Sequence, residues 1–448
     1  MGNFVCFHPL IFMKKIFPLL LLVAALLGFW KWFRYEGRTI LSSPDILGGV
    51  VMVENAGVKR LFYLTSQWEK RVTFTSGRAS STRRTTSKLN VDLWELDTIT
   101  AQPVSRRRIK RADVGADSKA LGVEQGMLWA RIPELVGIRL ADGVVVVNQE
   151  KIVARNPAIA GIFPKPPEAA IFLPSSMQPL RYEVESGMIV RLDDAREVRI
   201  DPLTLEATPM VEAKSDTEKS KGDAAAGMRL PVIPLSHGME WNATVRGLSL
   251  PQTGANQQWL GLLTDLDLEM MREKKVISTQ MDFTTPRRSR LYRATLQEVT
   301  GFFVTAIEHQ NPTVLPDSPD FLMAGLLTQE RSHSSKKSAF WGREPDSVLV
   351  LSLDRLGEEG RLQLARVSSE KGVPVWSVNL PLSGLSGWFP GEHHALLLGP
   401  APSAERSPMA EENDNSMQHV LSVDLATGAM QAFNPDLHRD WPVEDLTK

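Results

Sequence analysis

The residues whose types suit chemistry are few and scattered along the 448-residue chain. His393 and His394 follow Glu392, the nearest approach to a metal-ligand cluster. Adjacent residues on a strand point to opposite faces, so this pair shares a metal only if a turn carries it. A solvent-exposed turn is therefore expected. Asp265, Asp267 and Glu269 alternate and would line one face of a strand. A calcium loop also needs a glycine and a distal bidentate glutamate, and no Gly stands between Thr264 and Lys274. A solvated acidic face is expected there, and a loop at Glu411–Asn415. The chain has no Cys-x-x-Cys, His-Glu-x-x-His, Gly-x-Ser-x-Gly, P-loop or dinucleotide fingerprint. Ser383-Gly384-Leu385-Ser386-Gly387 has no obvious base nearby in sequence. No catalytic residue is assigned, and no cofactor or metal is expected.

Charge is the stronger signal. The formal net charge is −1, so no global field recruits nucleic acid. Its distribution is uneven: residues 59–111 hold thirteen Lys/Arg against four Asp/Glu, and residues 401–448 hold three against nine. Arg106, Arg107, Arg108, Lys110 and Arg111 form the densest basic cluster. Such a cluster suits anionic lipid headgroups or an acidic protein surface, or else blunts a strand edge against edge-to-edge pairing. The stretch lacks the interleaved aromatic residues that stack on bases, so nucleic acid is not expected as a partner.

The elements that would position these residues fall into two parts. Ile16 to Trp30 is fifteen residues without a charge, and extension through Phe33 adds Lys31, which can snorkel. Trp30, Trp32 and Tyr35 suit a headgroup boundary, and Lys14-Lys15 precede the run. The run ends without a small-residue cleavage site, so an uncleaved anchor over 16–33 is expected. Residues 1–15 would then lie in the cytoplasm, 34–47 form a juxtamembrane linker, and 48–448 form an extracytoplasmic domain. Met13 also reads as a natural start. Cys6 is the only cysteine, which permits an oxidising compartment and excludes an intrachain disulfide framework.

After residue 48, short β-branched and apolar runs dominate, among them Gly49–Val53, Arg60–Leu64, Gly143–Val147, Ser347–Leu353 and His419–Val423. Trp94, Trp129, Trp259 and Trp376 sit in such contexts and suit packing between sheets. Trp341, Trp388 and Trp441 stand near Gly or Pro, where loops use Trp to anchor partners. Leu260–Lys275 fits either a helix or a strand at Trp259–Leu263 followed by an acidic turn, and the strand is preferred. Residues 311–320 read as a Pro-rich connection, and 212–228 and 400–417 as flexible insertions.

A weak repeat runs through these strands. LWELDTIT (93–100), VRIDPLT (198–204) and LSVDLATG (421–428) each place Asp three residues before Thr at the end of an apolar strand. The Asp can accept turn amides, and the Thr hydroxyl can hold the turn. A looser copy carries Asp354 and continues to Trp376. A strand ending in Asp, a Thr-Gly turn and a following Trp resemble the blades of quinoprotein-type β-propellers. The chain as a whole resembles membrane-anchored proteobacterial envelope proteins of that kind. The resemblance implies an all-β, propeller-like domain of six to eight blades behind the anchor. It does not imply a quinone. The function expected is a non-catalytic scaffold or adaptor at the inner membrane, its bulk in the periplasm, holding an envelope protein or a polysaccharide. The alternative is an envelope enzyme, hydrolase-like, with its site in the propeller's central channel.

Overall fold

The computed structural model describes residues 39–42, 44–55, 57–76, 81–112, 118–164, 178–210, 229–231, 244–245, 247–249, 257–273, 287–300, 305–327, 346–356, 360–391, 393–400, 418–434 and 441–447. The expected anchor at 16–33, residues 1–15 before it and the stretches 212–228 and 401–417 lie outside them. Among the described residues, no helix is long and apolar enough to cross a membrane.

The fold is all-β, and its unit is an antiparallel four-stranded meander, which occurs six times in chain order among the described residues. The first comprises Asp45–Asn55, Val58–Ser76, Ser81–Asp97 and Pro103–Ala112. The second comprises Lys119–Glu124, Met127–Ile132, Glu134–Arg139 and Val145–Asn148. The third runs through Leu180–Glu183, Gly187–Arg191, Glu197–Ile200 and Ala207–Pro209. The fourth holds Gly247–Ser249, Gln257–Leu263, Arg288–Thr300 and Thr305–Val314. The fifth holds Phe321–Leu327, Ser347–Leu353, Leu362–Ser368 and Pro374–Asn379, and pairs briefly with the fourth at Arg288↔Leu322 and Ser289↔Phe321. The sixth is Gly387–Pro390, His394–Pro400, Gln418–Asp424 and Met430–Phe433.

The Asp-x-x-Thr repeat is one turn, always between the third and fourth strands. Oδ1 of Asp97, Asp201 and Asp424 each accepts from the two amides that follow at i+2 and i+3 and from the Thr hydroxyl. The Thr oxygen then accepts the amide two residues on. The same backbone turn recurs where the motif is absent. The amides of Asp97, Arg139, Asp201, Ser368 and Asp424 all donate to the carbonyl five residues later, at 2.8–3.0 Å. The residue at i+4 is left-handed in all five: Ala101, Gly143, Leu205, Gly372 and Gly428 have φ of 55, 71, 59, 82 and 76°. In the fifth meander the Ser368 hydroxyl stands in for the carboxylate and accepts from Glu370 and Lys371. Asp354, read as a looser copy, is elsewhere: it closes the connection between second and third strands, accepting from the Arg361 amide.

Four of these turns meet a neighbouring meander closely. In the sixth, the turn lies under the indole of Trp376, whose Nε1 donates to the Leu425 carbonyl at 3.1 Å. A Cβ on Gly428 would meet that indole at 2.9 Å, so left-handed backbone and close approach both demand glycine. In the second, a Cβ on Gly143 would meet Arg107 Cδ of the first meander at 2.5 Å. In the third, the Leu205 carbonyl accepts from Asn156 Nδ2 at 2.7 Å; Asn156 ends the helix α1 (Gln149–Arg155) that continues the second meander. In the first, Ala101 is fully buried in a cluster with Phe433 of the sixth, and Ser422 Oγ donates to the Thr98 carbonyl at 3.2 Å. The last meander thus packs on the first.

The core clusters follow these contacts. Both faces of the first meander are buried: Leu89, Val91 and Leu93 against the second, and Tyr63, Trp94 and Leu96 against the sixth. Further clusters join the second to the third, the fourth to the fifth and the fifth to the sixth. No core cluster among the described residues joins the third to the fourth, and no closed barrel or propeller is found among them.

Several local expectations change. Gln257–Leu263 is a strand, but the acidic stretch after it is a helix, α2 (Asp265–Arg272), not a turn. Thr264 caps it, and Asp267 returns the capping-box bond to the Thr264 amide, which buries Asp267 instead of leaving it on a solvated face. Asn311–Val314 extends a strand, and the connection begins only at Leu315, because the Pro312 amide is not needed in an outermost strand. Trp388 is a buried strand residue, not a loop anchor. Part of the 34–47 stretch also enters the first sheet: Thr39–Leu41 pairs with Val58–Ser76.

Gly428→Ala is expected to destabilise the domain by more than about 1 kcal/mol through strain at positive φ and the clash with Trp376. Urea unfolding followed by tryptophan fluorescence measures it. An unchanged midpoint would remove the turn from its role as a seat.

Candidate functional site

The basic cluster occupies the fourth strand of the first meander, and alternation divides it into two functions. Arg106 and Arg108 point inward. Arg106 Nε and Nη2 lie 2.9 and 2.7 Å from Asp92 Oδ2, and Nη2 also donates to Gln67 Oε1 at 3.2 Å. Arg108 grips the same carboxylate through both oxygens, Nε to Oδ1 at 2.8 Å and Nη2 to Oδ2 at 3.2 Å. Asp92 is 1 % exposed, and a buried carboxylate persists only with such pairing. The Arg106 guanidinium sits 4.8 Å from the Trp94 ring centroid, and Trp94 Nε1 donates to Thr65 Oγ1 at 3.0 Å. Tyr63 stacks on Trp94 with centroids 6.3 Å apart. Burial pushes the Tyr63 hydroxyl's pKa far up, and the charge of Arg106 opposes that only partly.

Arg107, Lys110 and Arg111 are less enclosed, and the two arginines meet acidic groups. Arg107 lies 3.7 Å from Glu95 and 3.4 Å from Glu444, and Arg111 lies 3.1 Å from Asp445. The last two acids belong to the short strand Glu444–Asp445, which adds in parallel to the edge of Pro103–Ala112 opposite Arg107 and Arg108. The Leu446 amide donates to the Arg108 carbonyl at 3.2 Å. Lys110 has no ion-pair partner among the described residues. Of the five cations expected to face an anionic surface, two are consumed inside the sheet, two hold the chain's own acidic tail, and Lys110 is left for other contacts.

Two cavities flank this meander. One, of about 260 Å³, opens at the seam with the sixth meander. Met52, Phe389 and Leu396 supply apolar walls, and Lys59, Asp97, His393 and His394 its polar ones. His394 Nε2 is 3.6 Å from Asp424 Oδ2, a pair that attracts once the imidazole is protonated. Asp97 is engaged by Arg60 and by its own turn. The other cavity, of about 630 Å³, lies between the first and second meanders, and Ile109, Lys110, Arg111, Ile132, Val136 and Thr447 are among the residues that line it. Among the described residues no group of three or more His, Cys, Asp and Glu is gathered as a metal would require.

The turn carboxylates are tuned by structure. For Asp424, the Thr427 amide and hydroxyl hold the pKa below the usual range. Burial pushes Asp97 and Asp201 upward, but the amides and hydroxyls of their turns outweigh it, so both end low.

No protein-family model matches the chain, and no curated protein matches it.

Asp92, Gln67, Glu444 and Asp445 join the site without a sequence motif that marks them. Asp92 interrupts an apolar strand, NVDLWEL, which is the signature of an ionisable residue with a buried partner. The acidic excess of the C-terminal 48 residues announced the other two, but not their destination.

Asp92→Ala leaves two buried guanidinium groups facing each other and is expected to cost about 3–5 kcal/mol, read as a lowered urea midpoint or loss of soluble protein. Replacing Lys110 by Ala, at the partly exposed end of the same strand, is expected to leave the midpoint within about 0.5 kcal/mol.

The low turn pKa values fix the sign of a pH dependence. Carboxylates depressed in the folded state stabilise it above their unfolded pKa of about 3.9, and that contribution is lost as pH falls through the folded values. Urea stability is therefore expected to fall below about pH 4. The triple variant Asp97→Asn, Asp201→Asn, Asp424→Asn should show a flatter profile; an unaltered slope would assign acid sensitivity elsewhere.

Proposed function

We propose that this chain is a non-catalytic binding scaffold of the bacterial envelope. Residues 16–33 hold it in the inner membrane, the bulk lies in the periplasm, and its six meanders are blades of a propeller-like ring. The observation that carries the reading is the repeated turn: one six-residue device seats meander upon meander, and the last upon the first. Such a stack is a rigid frame that presents loops, the use to which repeat architectures lend themselves.

The deployment of charge supports a scaffold. Asp97, Asp201 and Asp424 are spent on turns, Asp92 on two arginines, and Glu124 on Arg199. Their hydrogen bonds and ion pairs hold the frame together. A second observation bears on the channel-enzyme alternative. Arg229–Pro231 and Thr244–Val245, which follow the third meander, pair with the first strands of the second and fifth meanders. In a six-bladed ring, the second and fifth blades face each other across the axis. These pairings would occupy the channel rim that an enzyme would leave open to substrate. A fold does not fix a function, so the partner must be identified directly.

Affinity purification of the full chain from its native membrane in mild detergent, with mass spectrometry of everything retained, tests the reading. Stoichiometric envelope proteins or a bound polysaccharide are expected. A preparation carrying only a small molecule that it converts would replace the scaffold with an enzyme.

A further inference from the structure

We infer that the outer edge of Pro103–Ala112, with the cleft beside it, is a docking groove for an extended acidic segment of a partner protein, and that residues 441–447 occupy it as an internal substitute. The inference rests on the scaffold reading and names the class of partner that one of its surfaces fits.

The groove has three parts. Its rail is an outermost strand whose backbone edge already accepts a parallel two-residue strand, so the recognition is sheet extension. Its charge is cationic: Arg107 and Arg111 meet Glu444 and Asp445 at 3.4 and 3.1 Å, and Lys110 on the same strand has no ion-pair partner among the described residues. Its pocket is the cavity of about 630 Å³ between the first and second meanders, floored by Ile109, Ile132 and Val136. Thr447 of the internal segment is among the residues that line that cavity.

The internal segment is built as a displaceable cover. It runs from Trp441, packed against the seam of the first and sixth meanders, to Thr447 at the opposite seam. Only two residues pair with the rail. Glu444 is 63 % and Arg111 43 % exposed, so both ion pairs are screened and individually weak. Tethering compensates, because it holds the segment at a high effective concentration. A partner with a longer acidic strand and an apolar side chain for the cleft would gain pairings that the internal segment does not make.

The test uses the full chain in detergent and, as probe, a fluorescent peptide of the sequence Trp441-Pro-Val-Glu-Asp-Leu-Thr447. The wild type is compared with the double variant Glu444→Lys, Asp445→Lys, which loosens the internal segment while leaving the rail intact. Far-ultraviolet spectra and urea midpoints establish that each variant is folded. The double variant is expected to bind the probe at least about tenfold more tightly than the wild type, because the tethered competitor is gone. Adding Arg107→Glu and Arg111→Glu should abolish the gain, and a probe with Lys at both acidic positions should not bind. Amide hydrogen exchange at residues 107–112 gives an independent reading: it should rise in the double variant and fall again when the probe is added.

Equal binding by wild type and double variant, or equal binding of the charge-reversed probe, overturns the proposal. So does a double variant that ignores the peptide and gains affinity for anionic vesicles, which would assign the surface to lipid headgroups. Any of these results leaves the scaffold reading standing if the native purification still retains an envelope partner.

Discussion

Burying both faces of a four-stranded sheet requires a neighbour on each side, and every larger feature of this protein follows from meeting that requirement repeatedly. A lone meander would expose one apolar face; a row of them exposes two, at its ends. Here the sixth meander covers the open face of the first, with Tyr63, Trp94 and Leu96 on one side and Phe389, Leu396 and Phe433 on the other. The six-residue turn makes the stacking specific. Its left-handed fourth step brings the backbone close enough to seat on a side chain of the next sheet, as Gly428 does under Trp376. Where the turn carries Asp and Thr, four hydrogen bonds within six residues fix its shape. Where it carries Arg139 or Ser368, the backbone bonds persist and other side chains support them.

The first meander carries the heaviest electrostatic load, and this follows from its place in the chain. It meets the last meander on one face and the second on the other, and its outer edge receives the C-terminal segment. A cluster of cations on that edge serves three neighbours at once. Arg106 and Arg108 turn in to Asp92 and bind the third and fourth strands of their own sheet. Arg107 and Arg111 turn out to the tail. Lys110 remains for solvent or a partner. The guanidinium group suits the inward role: the planar fork of Arg108 pairs with both Asp92 oxygens, and that of Arg106 shares the carboxylate while sitting 4.8 Å from the Trp94 ring centroid. Lysine, a strongly hydrated point charge, suits the outward one. The edge that receives the chain's own acidic segment is therefore the one whose charge suits an acidic chain.

The sequence by itself determined the all-β character, because runs such as Ser347–Leu353 are β-branched and apolar over a strand's length. It determined the three Asp-x-x-Thr turns, because a short carboxylate two and three residues before free amides has one favourable use. It determined Trp94, Trp129 and Trp259 as packing residues. What it left open was decided by tertiary contact. The turns at Arg139 and Ser368 lack Asp at the first position, so only the common backbone bonds show that they are the same device. Asp267 alternates with its neighbours as a strand residue would, yet the Thr264 capping box recruits it into a helix start. Trp388 reads as a loop residue beside glycine until the sixth sheet buries it. The basic cluster announced a meeting with negative charge, and the acidic tail announced the reverse. Some 330 residues separate Arg107 from Glu444. No local pattern spans that distance; folding of the intervening sheets brings the tail back to the first edge, and so decided which charges were spent within the chain and which remain on its surface.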